Sequence, residues 1–283
     1  MSRGRQIRGD RVSCLPLVLV VGIGLSVSVC FGEGKSTPPP SAPQGSDKSL
    51  LQRTSTQLSQ YVEKFSDVRC SERVIQEKFK NNSNDKLDLK EESTYDYLVI
   101  LGNVGGELSL SESRLEVRGA KADKKKRSLL VSNGFATLFL IFHPLYANSF
   151  EFSEAEEEVV DGRRLTKILF RHIRGTRTPV ALALRGREYP LELAGTAWID
   201  NETASITHIS AGIDNTMADV GLKTLQTEVV FSPFSFHDPE ETYWFPQKAV
   251  VEVETPRQHW RNTHEFSKYK RFTVSTEEQV AAQ

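Results

Sequence analysis

The sequence predicts an α+β protein built on one large antiparallel sheet, and three observations lead to this fold class. From Val68 onward, most segments alternate polar and apolar residues, as strands with one buried face do. Short turn sequences separate these segments, at 161–164, 185–188 and 200–203. Crossover helices of the length that parallel strands need are missing between them, so consecutive strands are expected to pair in opposite directions.

The composition is that of a soluble globular protein. The 283 residues are 38% hydrophobic and 26% charged. With 36 Lys and Arg against 37 Asp and Glu, the net charge is −1. Because no basic excess is available to neutralise a phosphate backbone, binding of nucleic acid through bulk charge is not expected. One folded domain with a tail is expected from this length.

Residues 1–32 have the layout of a signal peptide. Four arginines precede an apolar stretch that runs from Leu15 to Phe31. The sequence therefore predicts an exported protein of the periplasm or cell envelope. Two alternatives stay open: a retained membrane anchor, and lipid attachment at Cys30, where Val29 occupies a position that is normally small.

The rest of the chain divides into three predicted parts. Residues 33–47 are rich in Pro, Ser and Gly and are expected to be a tether, because this composition disfavours helix and packed strand. Residues 48–275 are expected to form the curved-sheet domain, and residues 276–283 a polar tail.

The elements of the domain follow from periodicity. In 49–65, Leu58, Tyr61, Val62 and Phe65 recur at mostly three- and four-residue spacing, which predicts an amphipathic helix. Strand patterns then occupy 68–79, 93–101 and 106–117, and a meander of further strands occupies 149–274. The total is roughly eight to eleven strands.

Residues 128–142 are the most apolar stretch of the domain. The stretch is too short to cross a bilayer, and its density of Leu and Phe predicts a helix buried nearly all round that ends before Pro144. A sheet of this size has to curl, and its concave face needs an apolar cover. We expect 128–142 to be that cover.

The C-terminal part resembles a known family. The hairpin sequence TAWIDNETASITHIS begins at Thr196, and TEVVFSPF, YWFPQKAVVEVET and HEFSKYKRFTV follow it. This order is similar to that of the LolA/LolB/RseB-like periplasmic superfamily of outer-membrane lipoprotein-sorting proteins. The first half of the chain matches in the order of its elements. The resemblance implies a half-barrel with helices over its concave face, and a role in holding or sensing a lipid or an acylated lipoprotein. It assigns no role to any single residue.

The function predicted first is a non-enzymatic binding or transport protein, in which an apolar cleft between sheet and lid helix holds an acyl chain. Burial of each methylene would contribute about 0.8 kcal/mol. The candidate cleft residues are the large apolar side chains of the lid and of the late strands: Phe135, Leu138, Phe139, Phe142, Trp198, Phe231, Phe234 and Trp244. The competing interpretation is that these side chains fill an ordinary core.

Two further functions stay open. An envelope interaction or sensor module would have a fully packed core and would recognise another envelope protein through an outer face or an edge strand. A hydrolase is the third alternative, for which no nucleophile and base emerge. The basic run at 121–127 is either a contact for an anionic membrane surface or a solvated loop.

Motifs for catalysis or metal binding are missing from the sequence. It contains no His-Glu-x-x-His, Cys-x-x-Cys or Gly-x-Ser-x-Gly pattern. His259 and His264 are five apart, which puts them on opposite faces of a strand. Cys70 is expected to be a small buried hydrophobe, with a nucleophilic role as the alternative. We therefore expect no enzyme activity, no cofactor and no metal.

Overall fold

The computed structural model of the chain describes residues 49–80, 86–104, 107–116, 131–184, 187–237 and 240–271. The predicted leader 1–32, the tether 33–47, the basic run 121–127 and the tail 276–283 lie outside the described residues.

The described part opens with α1 (Leu50–Ser66), at the place where periodicity predicts a helix. The Ser49 side chain caps it by accepting a hydrogen bond of 3.3 Å from the backbone N–H of Gln52. Its apolar face, including Tyr61 and Phe65, is buried. No helix in the described part of the chain combines the length and apolar character needed to span a membrane.

Thirteen strands follow in the described residues. They are β1 (Val68–Phe79), β2 (Leu87–Val104), β3 (Glu107–Glu116), β4 (Val131–Asn133), β5 (Phe150–Val160), β6 (Arg163–His172), β7 (Ala181–Leu184), β8 (Arg187–Pro190), β9 (Leu193–Asp200), β10 (Ile206–Ile213), β11 (Thr224–His237), β12 (Glu240–Glu254) and β13 (His259–Arg271). Ten of them form one sheet in the order β3-β2-β1-β13-β12-β11-β10-β9-β6-β5, and β4-β7-β8 form a second. Each pairing of these strands is antiparallel, as predicted. The large sheet is open, with β3 and β5 at its edges.

The hairpin at the centre of the family resemblance forms as its sequence indicates. Strands β9 and β10 pair with Trp198 opposite His208, and 201–203 make the turn. The Asp200 carboxylate fixes this turn by accepting hydrogen bonds of 2.9 and 2.8 Å from the backbone N–H groups of Glu202 and Thr203.

The prediction of one helix over 128–142 is wrong for residues 131–142, and residues 128–130 lie outside the described residues. Val131–Asn133 instead pair as β4 with β7, and Leu138–Phe142 form a single 3₁₀ segment. A short helix, α2 (Pro144–Ala147), follows. Gly134 separates strand from 3₁₀ segment with a φ of +83°, and a Cβ there would lie 2.7 Å from the carbonyl oxygen of Pro179. The high apolar content reflects deep burial, which an irregular segment satisfies as well as a helix does.

The core joins α1, the 3₁₀ segment and the sheet. The five residues of the 3₁₀ segment are each at most 2% exposed. The Phe139 ring lies 5.0 Å from that of Tyr61 and 5.8 Å from that of Phe65. On the sheet side, Phe245 packs 5.4 Å from Phe65. Edge-to-face and stacked aromatic pairs therefore connect the layers.

Strands β11 and β12 extend beyond the backbone ladders that join them to β10 and β13. The pairing of β11 with β10 ends at Val230, opposite His208, and the pairing of β12 with β13 begins at Lys248, opposite Glu265. Past these points β11 and β12 pair with each other. We call this two-stranded part, residues 231–237 and 240–246, the arm.

A ligand-sized groove between helix and arm

A cavity of about 360 Å³ lies between α1, the chain that follows the β9–β10 turn, and the arm. This volume is at the lower end of the range for small-molecule sites. Its walls consist of Gln57, Leu58, Gln60, Tyr61 and Lys64 of α1, Phe139 of the 3₁₀ segment, Ala204, Ser205 and Ile206 near the turn, and Phe231, Glu241, Thr242, Tyr243 and Trp244 of the arm. We call it the groove.

Aromatic rings make up the inner wall of the groove. Tyr61 lies 5.0 Å from Phe139 and 6.2 Å from Tyr243, measured between ring centroids. Phe139 in turn lies 6.2 Å from Phe231. The α1 residues reach this wall because positions three and four apart share one face of a helix. The result is a concave base of closely packed rings, of which Tyr61 is 7% and Phe139 1% exposed.

Hydrogen bonds fix one wall of the groove. The Arg53 guanidinium donates to the carbonyl oxygen of Asn201 at 2.8 Å, and the Thr54 hydroxyl donates to that of Ala204 at 3.0 Å. The side-chain amide of Gln57 lies 3.2 Å from the Ser205 hydroxyl. These contacts hold α1 against the β9–β10 turn, so this side of the groove is preformed.

Polar groups line the opposite rim, on the arm. Glu241 accepts a hydrogen bond of 2.9 Å from the Tyr243 hydroxyl and is also paired with Arg271. Hydrogen bonds from Tyr243 and Arg271 lower the pKa of Glu241. The exposed Lys64 of α1 also lies on the groove and further lowers that pKa. The rim thus offers a cation and an anion next to an aromatic interior.

Three of the eight predicted cleft residues line the groove: Phe139, Phe231 and Trp244. Trp244 also lies under the Arg163 guanidinium, 4.9 Å from ring centroid to Cζ. The structure places Phe135, Leu138 and Phe142 in the packed core, at 2% exposure or less, away from the groove.

The other two predicted residues lie elsewhere. Trp198 stacks on His208 with ring centroids 4.5 Å apart, and Lys167 lies 6.0 Å from its ring. Phe234 lines a smaller cavity of about 220 Å³ between the arm and β13, next to Tyr269. The sequence does not distinguish these positions. Strand alternation predicts that one face of a strand is apolar, but not which residues that face contacts.

The sequence did not single out the α1 side of the groove. The periodicity of α1 predicts Leu58 and Tyr61 on its apolar face, but the same periodicity fits ordinary packing. Ala204, Ser205 and Ile206 are small or common residues with no distinguishing pattern. The groove forms where three distant segments meet, and a linear pattern carries no information about that meeting.

A second feature of the sheet is a buried charged cluster formed by side chains of β1, β3 and β13. Glu72 accepts hydrogen bonds from Arg114 Nε at 2.7 Å and Nη2 at 3.0 Å, and its Oε1 lies 2.8 Å from His264 Nδ1. Glu112 pairs with Arg114 at 3.1 Å and accepts from the Gly134 N–H. The charged groups form hydrogen bonds and ion pairs with one another, so the cluster is suited to a structural role rather than to chemistry on a substrate.

The carboxyl groups of this cluster have opposite pKa shifts. Burial alone would raise the pKa of Glu72, but hydrogen bonds and charge from His264 and Arg114 outweigh burial and lower it. Burial raises the pKa of Glu112, and Arg114 compensates only in part.

The candidate chemical groups are not assembled into a site in the described residues. His259 and His264 lie on opposite faces of β13, as predicted: His259 contacts Glu252 at 2.6 Å and His264 contacts Glu72. Cys70 is buried, and burial raises the pKa of its thiol to about 12. Within the described ranges, no cluster of three or more His, Cys, Asp or Glu side chains is placed to hold a metal ion.

Neither a protein-family model nor a curated protein matches the sequence. Solved structures that align with the chain include a DUF1329 family protein from Desulfovibrio piger. That alignment has 11% identity and a TM-score of 0.41, and covers 80% of this chain and 93% of the other.

A putative outer membrane lipoprotein-sorting protein domain from Vibrio parahaemolyticus also aligns. Its identity is 10% and its TM-score 0.34, with 78% of this chain and 93% of that domain covered. Neither alignment says what this chain binds.

Proposed function

We propose that the chain is an exported, non-enzymatic binding protein that holds a lipid, or the acyl chain of a lipoprotein, in the groove. The observation that carries this proposal is the aromatic wall formed by Tyr61, Phe139, Phe231 and Tyr243 inside a concave space of about 360 Å³. The resemblance of the late strands to lipoprotein-sorting proteins supports the same ligand class.

The physical argument is one of area and shape. An acyl chain gains about 0.8 kcal/mol for each methylene that leaves water. A concave wall contacts such a chain on several sides, which a flat surface cannot do. The exposed Lys64 at the rim gives a negatively charged headgroup a partner without burying its charge. Binding of this kind makes and breaks no covalent bond.

Export is part of the same proposal. A leader at 1–32 that is removed or retained would place the domain outside the cytoplasm, where an acylated lipoprotein is a ligand. The mass of the protein recovered from a cell envelope fraction tests this, because cleavage shortens the chain and lipid attachment at Cys30 adds mass.

Binding is tested with the purified full-length protein and a fluorescent fatty-acid analogue. Gln60 is exposed on α1 and lines the groove, so Gln60→Trp places an indole in the mouth. We expect this variant to weaken probe binding at least tenfold. Gln52→Trp is the matched control, since Gln52 is exposed on the same helix and does not line the groove.

The two variants separate binding in the groove from binding elsewhere. Equal affinity of both variants would contradict the groove as the site. Mass spectrometry of organic extracts from the wild-type protein gives a second reading, because a carrier purified from cells is expected to retain lipid.

One observation favours the interaction module as a second candidate. Phe135, Leu138 and Phe142 belong to a solid core, which is what that alternative expects of the apolar segment. Trp198 and His208 stand half-buried on the sheet as a stacked pair available to a protein partner. Wild-type protein that neither binds the probe nor carries lipid would favour this candidate.

A further inference from the structure

The arm is supported by backbone pairing within itself. Residues 231–237 of β11 pair with 240–246 of β12, while the ladders to β10 and β13 end at Val230 and Lys248. A two-stranded hairpin without further strands is marginally stable on its own. The position of the arm therefore depends on side-chain contacts.

The base of the arm has the features of a bend. Val230 pairs with Lys248 and Phe231 with Pro246, so Gln247 is an extra residue on β12. An extra residue of this kind bends the strand and increases its twist. Pro246 has no N–H to donate to a neighbouring strand. The ladder between β12 and β13 thus stops at Lys248, two residues from a proline that cannot continue it.

Aromatic packing anchors the half of the arm nearest this bend. The Phe245 ring stacks 4.7 Å from Tyr269 of β13 and lies 5.4 Å from Phe65 of α1. The Tyr269 hydroxyl donates a hydrogen bond to the carbonyl oxygen of Pro246. This half has large buried contacts on both sides, so we expect it to stay in place.

The tip, which we define as residues 235–237 and 240–243, is held by aromatic and polar contacts. The Phe236 ring is 8% exposed and lies 5.9 Å from the ring of Phe245. Arg271 at the end of β13 pairs with Glu241, and its guanidinium lies 4.5 Å from the Phe236 ring centroid. Both members of the ion pair are partly exposed, at 24% and 35% of their side chains. Opening this ion pair costs little free energy, and the ring contacts of the tip are then left to hold it.

The tip is also a wall of the groove. Glu241, Thr242 and Tyr243 line it from one side, and α1 lines it from the other. The α1 side is fixed by the hydrogen bonds of Arg53 and Thr54 to the β9–β10 turn. The width of the mouth therefore depends on where the tip stands.

We propose that the tip of the arm is a gate of the groove and that the Arg271–Glu241 pair is its latch. The inference rests on the proposed function for what passes the gate, but the movement of the tip is a property of the ligand-free protein. Closing the latch draws the tip towards the end of α1, and releasing it widens the mouth.

Charge exchange tests the latch in the full-length, ligand-free protein. Arg271→Glu and Glu241→Arg each place like charges together, whereas the double variant restores an opposite pair. We expect amide hydrogen exchange at 240–243 to rise about fivefold or more in each single variant and to return towards the wild-type rate in the double variant. Exchange in β9 and β10 is expected to stay unchanged.

Lys223→Glu is the matched control. Lys223 pairs with Glu254 at 3.0 Å, also on the surface, at the end of β12 where the backbone ladder to β13 is intact. It should leave exchange at 240–243 unchanged. Wild-type exchange at the tip in the single variants, faster exchange across the whole sheet, or no recovery in the double variant would each overturn the latch.

Probe kinetics connect the latch to the groove. With the fluorescent fatty-acid analogue, the single variants are expected to show association and dissociation rates raised by a similar factor of about five. Unchanged rates together with faster tip exchange would overturn the gate. If the wild-type protein binds no probe, the proposed function fails, while the exchange experiment still decides whether the tip is latched.

Discussion

The carboxylate of Glu72 on β1 is held in two hydrogen bonds by the guanidinium of Arg114 on β3, two strands away. Arg114 reaches across the intervening strand over the ring of Tyr97, with its Cζ 5.3 Å from the ring centroid. Glu72 is fully buried, and the Arg114 side chain is 21% exposed. The pair thus links the edge strand β3 to β1, the strand that directly follows α1.

Glu72→Gln should lower the free energy of unfolding by about 3 kcal/mol, because it removes one of the two buried carboxylates that pair with Arg114. Urea denaturation at neutral pH measures this. Glu77→Gln is the control on the same strand, since Glu77 pairs with Lys90 at the surface and its loss is expected to lower stability by at most about 1 kcal/mol. Equal losses in the two variants would contradict the structural role of the cluster.

The two buried carboxyl groups should contribute to the pH dependence of stability with opposite signs. The pKa of Glu72 is lowered by folding, so its stabilisation is present above the ordinary value of 4.5 and is lost as the pH falls through the folded-state pKa. The pKa of Glu112 is raised, so the folded state loses stability as the pH rises from 4.5 through that pKa. Glu112→Gln should therefore gain stability relative to the wild type between pH 4 and pH 8, as measured by urea denaturation across that range. A constant difference between the two proteins would contradict the raised pKa.

Cys70 should resist alkylation in the folded protein. At a pKa of about 12, the thiolate fraction at neutral pH is roughly a thousandfold below that of an ordinary cysteine, and the side chain is also buried. Iodoacetamide labelling followed by peptide mass spectrometry measures Cys70 alone. We expect labelling to become fast in urea, and rapid labelling of the native protein would rule out the buried environment.

Gly195 on β9 should tolerate no side chain. A Cβ at this position would lie 2.1 Å from the carbonyl oxygen of Ser210 and 2.7 Å from the Cα of Ala211, both on the paired strand β10. Gly195→Ala should therefore lower the free energy of unfolding by about 2 kcal/mol or more, since one strand has to shift. Gly162→Ala, at a turn with open space but a φ of +78°, should lose only about 1 kcal/mol. Thermal or urea unfolding of the two variants distinguishes steric overlap from backbone strain.

Elements with strong local patterns could be predicted from the sequence. The alternation in 68–79 coincides with β1, and the acidic turn with its flanking strands coincides with the β9–β10 hairpin. In both cases one face of the strand is buried and the other is solvated, so hydrophobic alternation records the pairing directly.

The segment 128–142 could not be predicted in the same way. A helix, a 3₁₀ segment and an irregular chain have equal need of apolar residues when every side is buried, so composition does not distinguish them. In β13 the alternation itself breaks: Phe266 is buried, Ser267 and Lys268 are exposed, and Tyr269 is buried again. Lys268 has a φ of +57° at this point, and the resulting shift brings Tyr269 to the face where it contacts Phe245.

Of the groove, the sequence indicated Phe139, Phe231 and Trp244 as large apolar side chains, although it placed Phe139 on a helix that does not form. It could not indicate that Tyr61 faces them or that Ala204 and Ser205 complete the wall, because these contacts depend on how distant segments meet. The arm was equally hidden. The arm is separate because the backbone ladders to β10 and β13 end at its base. Where a ladder ends depends on strand register and not on residue type.

The edge strand β5 carries charges that oppose its pairing with the edge of another sheet. Glu154, Glu156 and Glu157 are exposed along it, and the register with β6 shifts between Glu154 and Glu157. Two such edges brought together would place carboxylates side by side on a locally bent strand, which opposes the growth of fibrous aggregates. That protection depends on the charge of these side chains, so replacing the three glutamates with valine would turn this border of the sheet into a template for pairing with a foreign strand.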